Sequence, residues 1–247
     1  MFVLLPPSET KRDGGAAGSL ELASLRFPHL AGERRSVLDA VAELSLDVAA
    51  ASAALGLGPT QAAEIDRNRG IPSAPLMPAI ERYTGVLYDG LQAELLTESE
   101  REFANTHVVV HSALFGLVSA GDAIPAYRLS HNSRLPGLSL GRHWRPGISA
   151  ELAQRSELLL DLRSEAYASL GPTPRHEGSY YIRVVSQGPS GRRTALSHFN
   201  KKAKGEFTRA VIAAGVDHAD VVSLLAWAAE NGIVLERSAS GELDLVV

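Results

Sequence analysis

Apolar positions are densest between His107 and Ser130, in HVVVHSALFGLVSAGDAIPAYRLS. Three valines open this stretch; β-branched side chains are stiff at χ1 and suit a pleated strand. Leu114, Phe115, Leu117 and Val118 continue the run, which predicts a strand buried on both faces, broken at Gly116 and Gly121. Tyr127 and Arg128 then follow a turn marked by Asp122 and Pro125. This passage reads either as a core strand with a structural arginine or as a strand end holding polar groups at a site. Asp122 is expected to hold the turn by accepting backbone N–H bonds.

The same reasoning finds buried strands at Phe2 to Leu5, Leu158 to Leu162 and Tyr180 to Ser186, and a closing pair at Ile233 to Leu235 and Leu243 to Val247. Period-3.6 patterns predict helices over Arg34 to Leu55, around Ile80 to Leu91, over residues 196–214 and from Asp217 to Glu230. Thr97 and Glu100 make a capping box for a short helix ending near Ala104. On the 196–214 helix, Lys201 and Lys204 fall on one side of the apolar stripe, Lys202 and Arg209 on the other. Lys202 is expected to be the inward lysine.

Composition narrows the chemistry. The chain has no cysteine, which excludes disulfides, thiolate metal sites and cysteine nucleophiles. The start, MFVLLPPSETK, lacks a positive region before its apolar residues and does not read as a signal peptide. No apolar run reaches the roughly 18–20 residues of a membrane span. A cytoplasmic monomer without metal or cofactor is expected. Net charge is −4 but uneven: residues 1–100 hold 14 acidic and 8 basic residues, whereas residues 192–209 hold six basic residues against Glu206 alone.

Several motifs fail on context. Residues 8–18 form a glycine-rich loop after a strand, but GGAAG lacks the Gly-Lys-Ser/Thr of a phosphate-binding P-loop. GLSLG at Gly137 to Gly141 matches G-x-S-x-G, yet the flanks of Ser139 show neither the strand nor the helix of a nucleophile elbow. His107 and His111 on a strand stand about 13 Å apart, too far to share a zinc ion. Gly56-Leu57-Gly58-Pro59 reads as an αα-turn or as the hairpin of a helix–hairpin–helix module, where glycines let backbone N–H groups approach a DNA phosphate.

Four segments in order carry a resemblance: YTGVLYDGLQ (83–92), HSALFGL with Asp122 and Tyr127-Arg128-Leu129, DLRSEAY (161–167) and NKKAKGEFTRA (200–210). Together they resemble the YaaA family of peroxide-stress proteins. The resemblance implies a single-domain α/β (α+β) fold over residues 1–247. It implies a mixed sheet surrounded by helices, a helical insertion at about 34–104, a helix–hairpin–helix-like element and a basic cleft. It also implies a hydrogen-peroxide stress response, duplex DNA binding and limitation of iron-dependent damage. The chain departs from the family's pattern: Glu9 replaces a lysine, Ser119-Ala120 an Arg-Pro, Ser130 a glutamate, and Trp144-Arg145-Pro146 a Trp-Gly-Asp.

Two functions follow. One is a DNA-binding stress protein; the other is an enzyme acting on a phosphorylated or nucleotide-like small molecule in the same cleft. The expected ligand- or DNA-binding residues are Ser8, Lys11, Tyr88, Ser112, Tyr127, Arg128, Ser164, Lys201, Lys202, Lys204 and Arg209. Loop residues next to strand ends are where α/β sheets bind ligands, and lysine, arginine and hydroxyls suit a phosphate.

Overall fold

A computed structural model describes residues 1–187, 193–195 and 199–247. Ten strands occur among these residues: β1 (Phe2–Leu5), β2 (Met77–Pro78), β3 (Val108–Ser112), β4 (Gly116–Ser119), β5 (Ala123–Ile124), β6 (Leu159–Asp161), β7 (Ser179–Gln187), β8 (Arg193–Ala195), β9 (Val234–Arg237) and β10 (Glu242–Val246). The main sheet runs β4-β3-β1-β6-β7-β10-β9, with β8 pairing the end of β7 and β2 pairing β5 separately. Strands β3, β1, β6, β7 and β10 are parallel, while β4 and β9 close the edges antiparallel. The sequence therefore builds a mixed α/β sheet flanked by helices. Val3, Leu4, Leu5, Val108, Val109, Val110, Leu159 and Leu160 have no exposed surface. Such continuous burial is what a parallel sheet covered on both faces requires.

The helices are α1 (Ala31–Leu44), α2 (Val48–Leu55), α3 (Ala63–Arg69), α4 (Ala79–Arg82), α5 (Val86–Leu91), α6 (Glu98–His107), α7 (Leu140–Ala153), α8 (Glu165–Ala168), α9 (Phe199–Ala214) and α10 (Val221–Glu230). Four differ from the sequence expectation, the first being the helix expected from Asp217, which starts at Val221 because Asp220 caps it by accepting from the Ser223 N–H. The helix expected over Arg34 to Leu55 is split, because Asp47 accepts from the N–H groups of Ala49 and Ala50 and so starts α2 anew. The helix expected around Ile80 to Leu91 is split at Gly85, whose φ of 97° lies outside helical space. Ser139 is followed by a helix after all, α7, although no named strand precedes it.

The apolar run after His107 folds back as a hairpin instead of continuing, with Ser112 opposite Gly116. Gly116 supplies a φ of 65°, and a Cβ there would meet the Trp144 ring at 2.7 Å. His107 closes α6, and only His111 lies in β3. The Thr97–Glu100 capping box forms as expected. Asp122 accepts from the N–H groups of Arg26 and Ser119, holding the turn before Tyr127. Residues 196–198 of the expected 196–214 helix, and Arg192 of the basic segment, lie outside the described residues.

Candidate functional site

β1, β3 and β6 lie side by side, so the loops leaving their carboxyl ends converge. The strand order makes β1 a switch point, since β3 and β6 lie on opposite sides of it, and such points hold ligands in open α/β sheets. A cleft of about 830 Å³ opens there. Its walls come from Ser8 and Glu9 after β1, Thr84 to Tyr88 at α5, Ser130 and His131, Ser164 to Tyr167 after β6, Tyr181 on β7, and Asn200, Lys201 and Lys204 on α9. Of the four segments that carry the resemblance, 83–92, 161–167 and 200–210 line this cleft, whereas none of the residues from His111 to Leu129 does.

α9 sits against α5 with almost no gap. A Cβ on Gly205 would overlap the Leu87 carbonyl oxygen, and one on Gly90 would meet the Lys202 carbonyl oxygen at 2.8 Å. This contact sets which lysine faces the cleft. Lys204 is 4 % exposed and lines it, donating from Nζ to the carbonyls of Leu162 at 3.0 Å and Arg163 at 3.4 Å. Its Nζ also lies 5.2 Å from the Tyr181 ring centre. Burial pushes the Lys204 amine down to about 8, against the pull of Asp161 and Glu165. Lys201 is exposed at the cleft wall.

Lys202 is not the inward lysine. It is exposed, pairs with Glu206 at 3.2 Å, and faces a separate shallow recess with Asp89 and Arg209. Arg209 pairs with Glu100 at 3.4 Å. The division into Lys201 with Lys204 and Lys202 with Arg209 holds; the choice between the two sides does not, because the Gly205 contact turns the other side inward.

Behind the cleft wall is a buried hydroxyl chain. Ser112 Oγ lies 2.8 Å from Tyr127 Oη, which lies 2.9 Å from Tyr83 Oη. Ser112 Oγ also accepts from the N–H groups of Leu114 and Phe115, tying the chain to the hairpin turn. Burial pushes Tyr83 up to about 12 and raises Tyr127 well above the usual tyrosine range, so both stay neutral. Ser112 and Tyr127 therefore support the wall from inside. Tyr88 lines the cleft itself and donates to the Pro6 carbonyl at 2.8 Å.

Lys11 is half-buried, with Nζ 3.9 Å from the Tyr127 ring centre and donating to the Glu9 carbonyl at 3.2 Å. Burial first and the nearby Arg128 second push it down to about 7. Arg128 is 9 % exposed and donates to Glu9 Oε2 at 2.8 Å. It reaches the cleft only through that carboxylate. Ser8 and Ser164 line the cleft, and Ser164 caps α8 by accepting from the Tyr167 N–H.

Sequence reasoning missed Glu9, Ser130, Tyr167 and Tyr181 as cleft residues. Glu9 and Ser130 were visible only as departures from a pattern; here they face each other, with Ser130 Oγ donating to Glu9 Oε1 at 3.5 Å. It also missed the fully buried Arg163, which pairs with Asp161 at 2.6 Å and donates to His111 Nδ1 at 2.8 Å. Burial and the Arg163 charge hold His111 far below the usual histidine range, so the ring is neutral and accepts that bond.

At Gly56 to Gly58 the backbone N–H groups are already met within the chain. Gly56 donates to the Ala53 carbonyl, Leu57 to the Ser52 carbonyl, and Gly58 to Gln61 Oε1 at 2.9 Å.

The fold and cleft thus define an α/β protein with an open cleft, carrying charged and hydroxyl side chains, at the carboxyl ends of its central strands. The family model described as "Peroxide stress protein YaaA" matches residues 1–231, and the chain belongs to that family. Similar proteins include UPF0246 protein CE1889 of Corynebacterium efficiens, 44% identical over 214 residues covering 85% of this chain and 84% of the relative. A UPF0246 protein of Corynebacterium glutamicum is 37% identical over 243 residues, 96% of each chain. UPF0246 protein SCO2297 of Streptomyces coelicolor is 39% identical over 219 residues, 87% of this chain and 84% of the relative. The family's name supports a role in oxidative stress. Among the described residues no helix is long and apolar enough to cross a membrane.

Proposed function

We propose that this protein serves the oxidative-stress response in the cytoplasm by binding a phosphorylated or nucleotide-like small molecule in the cleft. The observation that carries this reading is Lys204. An ammonium has three donors, and among the described residues two of those on Lys204 are taken, by the Leu162 and Arg163 carbonyls, so the third is available to a ligand. A nearly buried cation at the wall of a concave cleft suits a compact anion better than a duplex backbone, which needs many exposed cations. The Tyr88, Tyr167 and Tyr181 side chains lining the cleft offer faces for a planar base. The same cleft would serve an enzyme acting on such a molecule.

Duplex DNA binding, with protection from iron-dependent damage, is the second reading. Exposed Lys201 and Lys202 on α9 favour it; the satisfied N–H groups of Gly56, Leu57 and Gly58 count against a phosphate contact at that hairpin. A binding screen of AMP, ADP, inorganic phosphate and a duplex oligonucleotide at two salt concentrations separates them. The small-ligand reading expects saturable nucleotide binding. Duplex binding alone, weakening steeply with salt, would replace it with the DNA reading.

A further inference from the structure

The cleft is chemically two-sided, and Glu9 makes it so. Its carboxylate accepts from Arg128 Nη2 at 2.8 Å and from Ser130 Oγ at 3.5 Å. Arg128 and Lys11, the cations of this side, are absent from the cleft lining; Glu9 is part of it. The Glu9 side chain is 59% exposed, whereas that of Arg128 is 11% exposed. The carboxylate therefore stands between the cleft and the cations behind it. An ionised carboxylate has about four lone-pair sites. Two are engaged among the described residues, which leaves acceptors for an incoming donor.

The lysine side is distinct. The carboxylates acting on Lys204 are Asp161 and Glu165, whereas Glu9 acts on Lys11 and on Tyr167. Lys201 and Lys204 present two cations from α9 against the one lining carboxylate of Glu165 on that side, and Glu9 presents acceptors from the β1 loop. We propose that Glu9 is a specificity-determining residue, selecting a ligand with one anionic group on the Lys201–Lys204 side and a hydroxyl-bearing end, such as a ribose diol, on the Glu9 side. A ligand carrying a second phosphate on the Glu9 side meets like charge and is rejected. This rests on the small-ligand reading and narrows it to nucleoside monophosphates against bisphosphates.

The test compares the affinities of AMP and adenosine 3′,5′-bisphosphate for the full-length protein, Glu9→Gln and Glu9→Asp, by calorimetric titration. Glu9 is more than half exposed, so both variants should fold, which a thermal melt checks. The unmodified protein and Glu9→Asp should prefer AMP by on the order of tenfold, since juxtaposed like charge discriminates at least that strongly. Glu9→Gln removes the charge and keeps the shape, so the ratio should move towards the bisphosphate by about tenfold. A ratio that stays the same in Glu9→Gln, including a parallel gain for both ligands, overturns the proposal while leaving the cleft a nucleotide site. Absence of AMP binding by the unmodified protein overturns this proposal; absence of AMP, ADP and inorganic phosphate binding together overturns the small-ligand reading as well.

Discussion

Replacing Lys204 by Met should abolish a rise of stability with pH that the unmodified protein shows between about pH 8 and pH 10.5. Folding moves this amine from an ordinary 10.5 to about 8. Each pKa unit is worth about 1.4 kcal/mol, so burying the protonated form costs the native state about 3 kcal/mol, with its bonds to Leu162 and Arg163 included in that balance. Below pH 8 both states carry the proton and the cost is fully present. Between about pH 8 and pH 10.5 the native amine has lost the proton and the unfolded one keeps it. The unfolded state then binds more protons, so stability rises with pH. The buried tyrosines act in the opposite sense: the raised Tyr83 stays neutral after unfolded tyrosines ionise near pH 10, so its contribution is lost as pH climbs towards 12. Taking the difference between the unmodified protein and Lys204→Met removes that term. Urea denaturation of both at intervals from pH 7 to pH 10 should show the unmodified protein gaining about 2–3 kcal/mol relative to the variant. Parallel profiles would refute the reasoning, because they would mean that the Lys204 amine is solvated like a surface lysine.

Two further substitutions probe the supports of the cleft. Asp122→Asn keeps one acceptor but loses the charge that binds the N–H groups of Arg26 and Ser119, so it should cost about 1–2 kcal/mol in urea denaturation. Nucleotide affinity should stay unchanged; lost binding with an unchanged melt would contradict the structural role. Gly205→Ala should destabilise by about 1–2 kcal/mol, because the overlap with the Leu87 carbonyl outweighs a helix-propensity gain of about 1 kcal/mol. It should also weaken ligand binding by pushing α5, with Tyr88, away from α9.

Much of the framework is legible in the sequence because buried parallel strands are short apolar runs. Phe2 to Leu5 and Val108 to Val110 identify themselves, and so do the amphipathic α9 and the capping box at Thr97. The hairpin at Ala113 to Phe115 is not legible, since residues on both faces are apolar and periodicity carries no information there. Apolar periodicity ran through Ser45-Leu46-Asp47 and hid the break between α1 and α2, although Asp47 is an ordinary N-cap. The lysines show where local information ends. A helical wheel separates Lys204 from Lys202, but only the approach of Gly205 to Leu87 decides which side faces the cleft. Likewise Glu9 and Ser130 are more than a hundred residues apart and read as unrelated changes until the fold places them in contact.

The central claim is that the nearly buried Lys204 of the cleft, and not the exposed Lys202 on the other side of α9, sets ligand affinity. The most direct measurement is AMP affinity for Lys202→Ala and Lys204→Ala against the unmodified protein, at one salt concentration. Loss of a buried, charged hydrogen-bond partner at Lys204 should cost about 2–5 kcal/mol of binding, whereas Lys202, held in a surface pair with Glu206, should cost less than about 1 kcal/mol. Equal, modest losses at both positions, with duplex affinity falling alongside, would contradict the account and point to a phosphate-backbone surface on α9.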